Sequence, residues 1–144
     1  ALEKMYNEMT NSTKNWFVCG TIHTRDDGNT FFNPMYPRWD DKMILENNNN
    51  FIGGVSVISI KNKVKTRFDS NAKILLDVDF YYGTMLEYGM PIFYQDILIG
   101  NRCSGKESFT GELCDYDENN NMRYKQDIID FEFSYVSKKY NLIK

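Results

Sequence analysis

Two aspartates, Asp77 and Asp79, stand one residue apart at the start of LLDVDFYYGTMLEYG (75–89), a stretch that is otherwise mainly apolar and aromatic. Burying a carboxylate without a partner is costly, so this position needs an explanation. Apolar residues recur at helical spacing, and Gly89 is a typical end signal. The stretch therefore predicts a helix with both aspartates in its first turn, where free backbone N–H groups and the helix dipole stabilise carboxylates.

Two interpretations of this pair are open on the residues alone. In the first, which the residues by themselves favour, both carboxylates cap the helix and no chemistry is involved. In the second, one carboxylate faces a cleft and acts as a general base toward a hydroxyl group, while the other is tied to the local backbone. Positions two apart on a helix point about 200° away from each other, so the two side chains cannot line one surface.

The elements around the pair alternate between helices and strands. Helices are predicted for 1–10, 75–89 and 122–144, and strands for 16–24, 51–62 and 90–102. Loops are predicted for the aromatic stretch 30–41, the NNNN run 47–50 and the polar, mobile connection 105–121. Gly53 and Gly54 permit a tight turn or a close backbone approach. This order predicts an α/β fold with a mixed sheet flanked by helices, forming one domain over residues 1–144.

Composition limits the classes of function. The chain has 42% hydrophobic and 15% aromatic residues, which is typical of a globular protein. Its net charge of −3 excludes the basic footprint of a nucleic-acid-binding protein. Three cysteines without metal-ligand spacing predict no disulfide framework and a cytoplasmic location. No stretch is apolar over enough residues to span a bilayer, so no transmembrane segment is predicted.

Four short motifs follow one another along the chain: NFIGGVS (50–56), RFD (67–69), LLDVDFYYGTMLEYG (75–89) and ILIGNRCSGKES (97–108). Their order and spacing resemble the C-terminal, acceptor-side half of a family-2-type glycosyltransferase with a GT-A fold. In such enzymes an N-x-I-G strand is followed by an F-D turn, an acidic helix start and a strand ending Y-R-x-H. The opening ALEKMYNEM and the tail VSKKYN resemble further helices of that half, so the resemblance covers nearly all 144 residues.

The resemblance implies a role for each matched residue. Asp77 would be the catalytic general base of sugar transfer, and Asp79 the supporting carboxylate, capping or hydrogen-bonded. Gly53 and Gly54 would pass close to the sugar or the acceptor, and Arg102 would contact phosphate. The implied partners are a nucleotide-sugar donor and a saccharide or other hydroxyl acceptor.

The chain also departs from the family pattern. The half that would hold the nucleotide, and the DxD segment that would hold a divalent metal, Mn or Mg, has no counterpart in the sequence. The pairs at 26–27 and 40–41 lie at the wrong place in the order to replace it. Ser104 stands where many relatives have a histidine, and a serine is a poor metal ligand. The sequence is therefore predicted to be a fragment that binds no metal and is inactive alone.

Other residues leave alternatives open. Arg38 and Trp39 could form an acceptor platform, because sugars stack on aromatic faces, or could equally anchor their loop. His23, the one histidine, is interpreted as structural. A missing half would leave the strands at 16–24 and 51–62 partly uncovered, which predicts self-association through the sheet surface. The competing class of function is a stand-alone, non-catalytic binding or structural module of viral or phage-like type.

Overall fold

A nine-residue strand, β1 (Trp16–Thr24), forms the centre of the sheet in the computed structural model of the chain. The structure describes residues 1–25, 28–40, 50–102, 109–119 and 122–142. Strand β4 (Ile92–Arg102) runs parallel to β1 along one edge. On the other edge, β3 (Ile58–Ile60) and β2 (Phe31–Met35) pair antiparallel with the first and second halves of β1. The fold is therefore α/β with a mixed sheet.

The described residues also form four helices and a separate hairpin. The helices are α1 (Leu2–Thr10), α2 (Leu76–Tyr88), the one-turn α3 (Phe109–Glu112) and α4 (Gln126–Lys139). The hairpin consists of β5 (Cys114–Tyr116) and β6 (Met122–Tyr124). No helix in these ranges is both long enough and apolar enough to cross a membrane.

The first half of β1 lies at the centre of the core. Its residues from Trp16 to Cys19 are fully buried, and they share one cluster with side chains from α1, α2 and α4. Full burial of an apolar side chain contributes about 1.5–3 kcal/mol, so this cluster is a main source of stability. The indole of Trp16 also donates a hydrogen bond to the carbonyl of Gly89 at 2.7 Å. Gly89 ends α2 with a φ of 77°, a conformation that favours glycine.

The sequence predicted the main elements correctly. The helix at 1–10, the buried strand at 16–24, the helix at 75–89 and the strand at 90–102 are confirmed, with ends within two residues of those predicted. The mixed sheet with accompanying helices is confirmed as well. The likeness of this arrangement to half of a GT-A fold stays a prediction.

Four predicted segments are wrong in part. Residues 31–35, predicted as a loop, form β2, in which Asn33 has a φ of 48° beside a register shift. The predicted strand at 51–62 is extended and paired only at Ile58–Ile60, because a turn and a short 3-10 helix precede it. The predicted connection at 105–121 contains α3 and β5, while the predicted helix at 122–144 begins with β6. Between α3 and β5, Leu113 is buried.

Some predictions fall outside the described residues. They concern the aspartates at 26–27, the second aspartate of 40–41, the asparagines at 47–49, and Cys103 and Ser104.

The prediction of self-association depended on uncovered apolar surface on the strands predicted at 16–24 and 51–62. For β1 that premise is wrong, because its first six residues are buried. Exposed apolar side chains lie instead on α1, where Leu2 and Tyr6 are exposed, and at Ile60 of β3. Self-association itself stays a prediction, and sedimentation of the chain at high concentration would measure it.

Candidate functional site

Asp77 lies at the start of α2 and faces a cavity of about 280 Å³. The cavity is lined by residues from four stretches of the chain, namely Val55, Lys73, Ile74, Leu76, Asp77, Leu113 and Tyr124. Among the described residues, none donates a hydrogen bond to the Asp77 carboxylate, and burial raises its pKa to about 6. A carboxylate with that pKa is mostly ionised at neutral pH, yet it binds a proton more readily than an ordinary aspartate does. These are the properties of a general base.

The two glycines of the sequence motif form the turn beside Asp77. A Cβ atom added at Gly54 would lie 3.9 Å from Oδ2 of Asp77, so this backbone passes close to the carboxylate. The side chain of Asn50 closes the turn by accepting from the amides of Ile52 and Gly53 and by donating to the Gly53 carbonyl at 2.8 Å. Such a turn competes with regular strand structure, which explains the late start of β3.

Tyr81 connects this turn to α2. It lies one helical turn after Asp77, on the same side of the helix. Its hydroxyl group donates a hydrogen bond to the Gly53 carbonyl at 3.0 Å. Burial, and then the charge of Asp77, raise the pKa of Tyr81, so the phenol stays protonated and keeps donating. The structure therefore brings Asp77, Gly53 and Gly54 together.

The two glycines should respond differently to alanine. Gly53 has a φ of 106°, which an L side chain rarely adopts, so Gly53→Ala is expected to cost about 1–2 kcal/mol of stability. Gly54 has a φ of −72°, and a Cβ there would make only an ordinary van der Waals contact with Oδ2 of Asp77, so Gly54→Ala should change stability by less than about 0.5 kcal/mol. Urea unfolding of both variants measures the difference. Equal stabilities would contradict the strained geometry at Gly53.

Asp79 lies in different surroundings, as helical spacing predicts for a residue two positions from Asp77. Its carboxylate is buried and accepts hydrogen bonds from Lys139 Nζ at 2.8 and 3.0 Å and from the Tyr140 hydroxyl at 3.0 Å. Lys139 also bonds Asp69 at 2.9 Å. Burial alone would lower the pKa of Lys139, but its hydrogen bonds to Asp79 and Asp69 hold that pKa above its usual range. Asp79 therefore fastens α2 to α4.

The hydrogen-bonded form of the capping interpretation is wrong for the described residues, because no backbone amide among them donates to the carboxylate of Asp77 or Asp79, whereas stabilisation by the helix dipole stays a prediction. The residue at the helix cap is Leu75, and no side chain of the cap position bonds the first turn. The amides of Lys73, Ile74 and Leu75 donate instead to the carboxylate of Glu132, from α4, at 2.7–2.8 Å. A side chain 57 to 59 positions further along the chain thus holds the backbone that leads into the helix.

Two further polar side chains reach the cavity. Lys73 contributes a cation at its edge, and Tyr124 of β6 contributes a phenol. Burial, and then the charges of Cys114 and Asp77, raise the pKa of Tyr124, so its hydroxyl group can donate a hydrogen bond at neutral pH. The remaining lining residues are apolar. The site thus combines a base, a neutral donor and a cation with apolar walls.

The other residues singled out from the sequence lie outside this cavity lining. Trp39 is partly buried and stacks on Tyr82 of α2, with ring centroids 6.1 Å apart, and the guanidinium of Arg38 lies 4.0 Å from the centroid of the Phe51 ring. Both contacts favour the loop-anchor alternative. Arg102 is exposed at the end of β4, next to Asn101, which accepts a hydrogen bond from Ser56 in the glycine turn.

The described residues do not fit a divalent metal. Within these ranges, no group of three His, Cys, Asp or Glu side chains is arranged to hold one. The metal that the family resemblance implies for a complete enzyme therefore has no ligand set here, and no chemical step is derived through it.

A larger groove of about 550 Å³ lies between α1 and β3. Its lining is mainly apolar and includes exposed Leu2 and Tyr6 but no carboxylate. It offers no base, so it is a weaker candidate for catalysis than the smaller cavity at Asp77.

Sequence reasoning missed four residues of the site: Lys73, Tyr81, Tyr124 and Glu132. Tyr81 had a detectable signal, because it follows Asp77 by four positions in a predicted helix. Glu132 and Tyr124 had none, since each reaches the site only after distant segments pack together.

Comparison with known protein families, with curated proteins and with solved structures found no match to this chain.

Proposed function

We propose that this chain is the acceptor-side, catalytic-base half of a nucleotide-sugar-dependent glycosyltransferase. One observation carries the proposal: a partly buried carboxylate, Asp77, faces a cavity with no hydrogen-bond donor from the described residues and with a raised pKa of about 6. The hydrogen bonds of the backbone that leads into α2 support the proposal as well, because the amides of Lys73, Ile74 and Leu75 donate to Glu132 and not to Asp77.

In this proposal the acceptor hydroxyl group enters the cavity and donates to Asp77. Its proton moves to a carboxylate oxygen as the hydroxyl oxygen attacks the anomeric carbon of the sugar. The new bond is the glycosidic C–O bond, and the bond that breaks joins the anomeric carbon to the departing nucleoside diphosphate. Gly54 permits close approach beside the base, because it has no side chain between the backbone and the carboxylate.

The cavity lining is suited to a hydroxyl-bearing acceptor. Tyr124 offers a donor and a ring face to a saccharide, while Val55 and Leu113 form apolar walls that limit water around the base. The donor nucleotide, and the divalent metal that would accompany it, belong in this proposal to a separate nucleotide-binding half.

Acceptor binding can be tested with the chain itself. Titration with a panel of mono- and disaccharides is expected to shift the NMR signals of Val55, Leu113 and Tyr124. Signals of Ser59 and Ile60, which line the groove between α1 and β3, serve as the internal control and should not move. Shifts confined to that groove, or no shift with any saccharide, would contradict the assignment of the Asp77 cavity as the acceptor site.

The alternative is a non-catalytic binding module, and one observation favours it. The larger apolar groove between α1 and β3 could hold a ligand without any base. Substitution of Asp77 separates the two functions, because a binding module would keep its function when this carboxylate is replaced.

A further inference from the structure

A single carboxylate from α4, that of Glu132, holds the segment that leads into α2. Glu132 is only 1% exposed, and it accepts hydrogen bonds from three consecutive amides, at 2.7 Å from Lys73 and at 2.8 Å from Ile74 and Leu75. In the described part of the chain, no lysine or arginine forms an ion pair with it. Its charge is therefore balanced by backbone N–H groups at the start of a helix.

The residues whose amides Glu132 holds are also cavity residues. Lys73 and Ile74 line the cavity, and Leu76 and Asp77 follow them directly in the chain. Four of the seven lining residues thus belong to one short segment whose backbone is fixed by one distant side chain. Movement of this segment would displace the cavity wall and Asp77 together.

The same bonds have an electrostatic consequence for Asp77. The bonds hold the amides of Lys73, Ile74 and Leu75, which precede the first helical residue, Leu76, and so fix the backbone that places Asp77 in its partly buried position. Burial is the cause that raises the pKa of Asp77, so the anchored turn maintains that raised pKa.

We infer that Glu132 is the positioning residue of the site: it fixes the turn that leads into α2 and thereby keeps Asp77 partly buried against the cavity. The inference rests on the proposed function, in that Asp77 is the base, and it adds how that base is kept reactive. Glu132 itself is fully buried under the turn and does not line the cavity.

The other titratable and charged groups around Asp77 come from three elements. They are Tyr81 of α2, Cys114 and Tyr124 of the hairpin, and Lys73 of the lead-in segment. Burial raises the pKa of Cys114, of Tyr81 and of Tyr124, so all three stay protonated in mildly acidic solution. Among these described groups, Asp77 is therefore the one whose titration the experiment follows below pH 7.

The test is an NMR titration of the Asp77 side-chain carboxyl carbon in the wild-type chain and in Glu132→Gln. Glutamine keeps the volume of the Glu132 side chain but removes its charge, and it cannot accept hydrogen bonds from all three amides. The Asp77 midpoint is expected to fall by about one pH unit or more, since a turn released from Glu132 exposes the Asp77 carboxyl group to water and removes the burial that raises its pKa. The matched control is Asp69→Asn, which loosens α4 at Tyr135 and Lys139 without touching these amides, and should leave the Asp77 midpoint within about 0.2 unit.

A second measurement uses the wild-type chain alone and so does not depend on folding of the variant. Amide hydrogen exchange at Lys73, Ile74 and Leu75 should be as slow as inside α2, although these residues precede the helix. Exchange at the rate of an exposed loop would overturn the inference. It would be overturned equally by an unchanged Asp77 midpoint in folded Glu132→Gln, or by an equal change in Asp69→Asn.

The inference and the proposed function can fail separately. If Glu132→Gln lowers the Asp77 midpoint but no saccharide shifts the cavity signals, the coupling of Glu132 to Asp77 stands and the acceptor assignment fails. If saccharides bind and the midpoint stays unchanged, the acceptor site stands and the role of Glu132 fails.

Discussion

Replacing Lys139 by methionine is expected to lower the free energy of unfolding by about 3–5 kcal/mol. The change removes the cation that donates to both carboxylate oxygens of Asp79, at 2.8 and 3.0 Å. The Asp79 side chain is only 1% exposed, so its charge would stay buried without a cationic partner. The Tyr140 hydroxyl remains as a donor, but a neutral donor compensates a buried charge much less than an ammonium group does. Urea or thermal unfolding of the two proteins measures the loss.

Lys138→Met is the matched control. Lys138 is the preceding residue in the last turn of α4, is exposed, and carries the same charge near the same helix end. Both substitutions therefore remove a similar interaction with the helix dipole, but only Lys139→Met leaves the buried charge of Asp79 without its cation. Lys138→Met should change stability by less than about 0.5 kcal/mol. Equal losses for the two variants would mean that the contact with Asp79 does not stabilise the fold.

The ion pair also changes what is expected of Asp79 itself. As a local helix cap, Asp79 would contribute about 0.5–2 kcal/mol. As one partner of a buried pair it contributes more, because its removal leaves Lys139 with Asp69 alone. The sequence could place Asp79 in a structural role, but it could not identify the partner, which lies 60 positions further along the chain.

The same limit explains which parts of the fold and site the sequence predicted. The helix at 75–89 follows from periodicity and from Gly89, and it places Asp77 and Asp79 on different sides. β2 escaped prediction because its proline and its positive-φ Asn33 are typical of loops, while its pairing with β1 depends on contacts between segments. Local pattern thus predicts the position of Asp77 in the helix, and only tertiary packing supplies the surroundings of its carboxylate.

Glu132 shows the limit most clearly. In the sequence it is one acidic residue in an amphipathic helix, FEFSYVSKK, with no feature that separates it from exposed glutamates. In the fold it is among the largest fully buried side chains and holds three amides of another segment. Patterns of hydrophobicity cannot predict a buried charge, because its burial is permitted only by partners that the pattern does not contain.

The largest effect on activity is expected from Asp77→Asn. In a protein that joins this chain to a nucleotide-binding half, the substitution should reduce turnover by about 10²–10⁴-fold, the usual scale for loss of a general base. Asparagine keeps the shape of the side chain and the opening beside Gly54, but it cannot accept the acceptor's proton. Asp115→Asn is the control, since Asp115 is an exposed aspartate on the hairpin that carries Tyr124, and it should leave turnover unchanged.

Asp77→Asn should also stabilise the isolated chain, by an amount that depends on pH. Burial raises the pKa of Asp77 to about 6 from an ordinary value of 3.8, so the folded chain binds this proton more tightly than the unfolded chain does. Wild-type stability should therefore fall as pH rises from about 4 to about 6, by on the order of 3 kcal/mol for a difference of about 2 pH units. Asparagine has no charge to bury, so the variant should equal the wild type near pH 3 and exceed its stability by most of that amount at pH 7. Unfolding experiments on both proteins across this pH range measure the difference in stability, and Asp115→Asn should follow the wild type.

Near-normal turnover in the joined protein, or a variant less stable than the wild type at pH 7, would show that Asp77 is a structural carboxylate. Either result would remove the main support for the proposed chemistry.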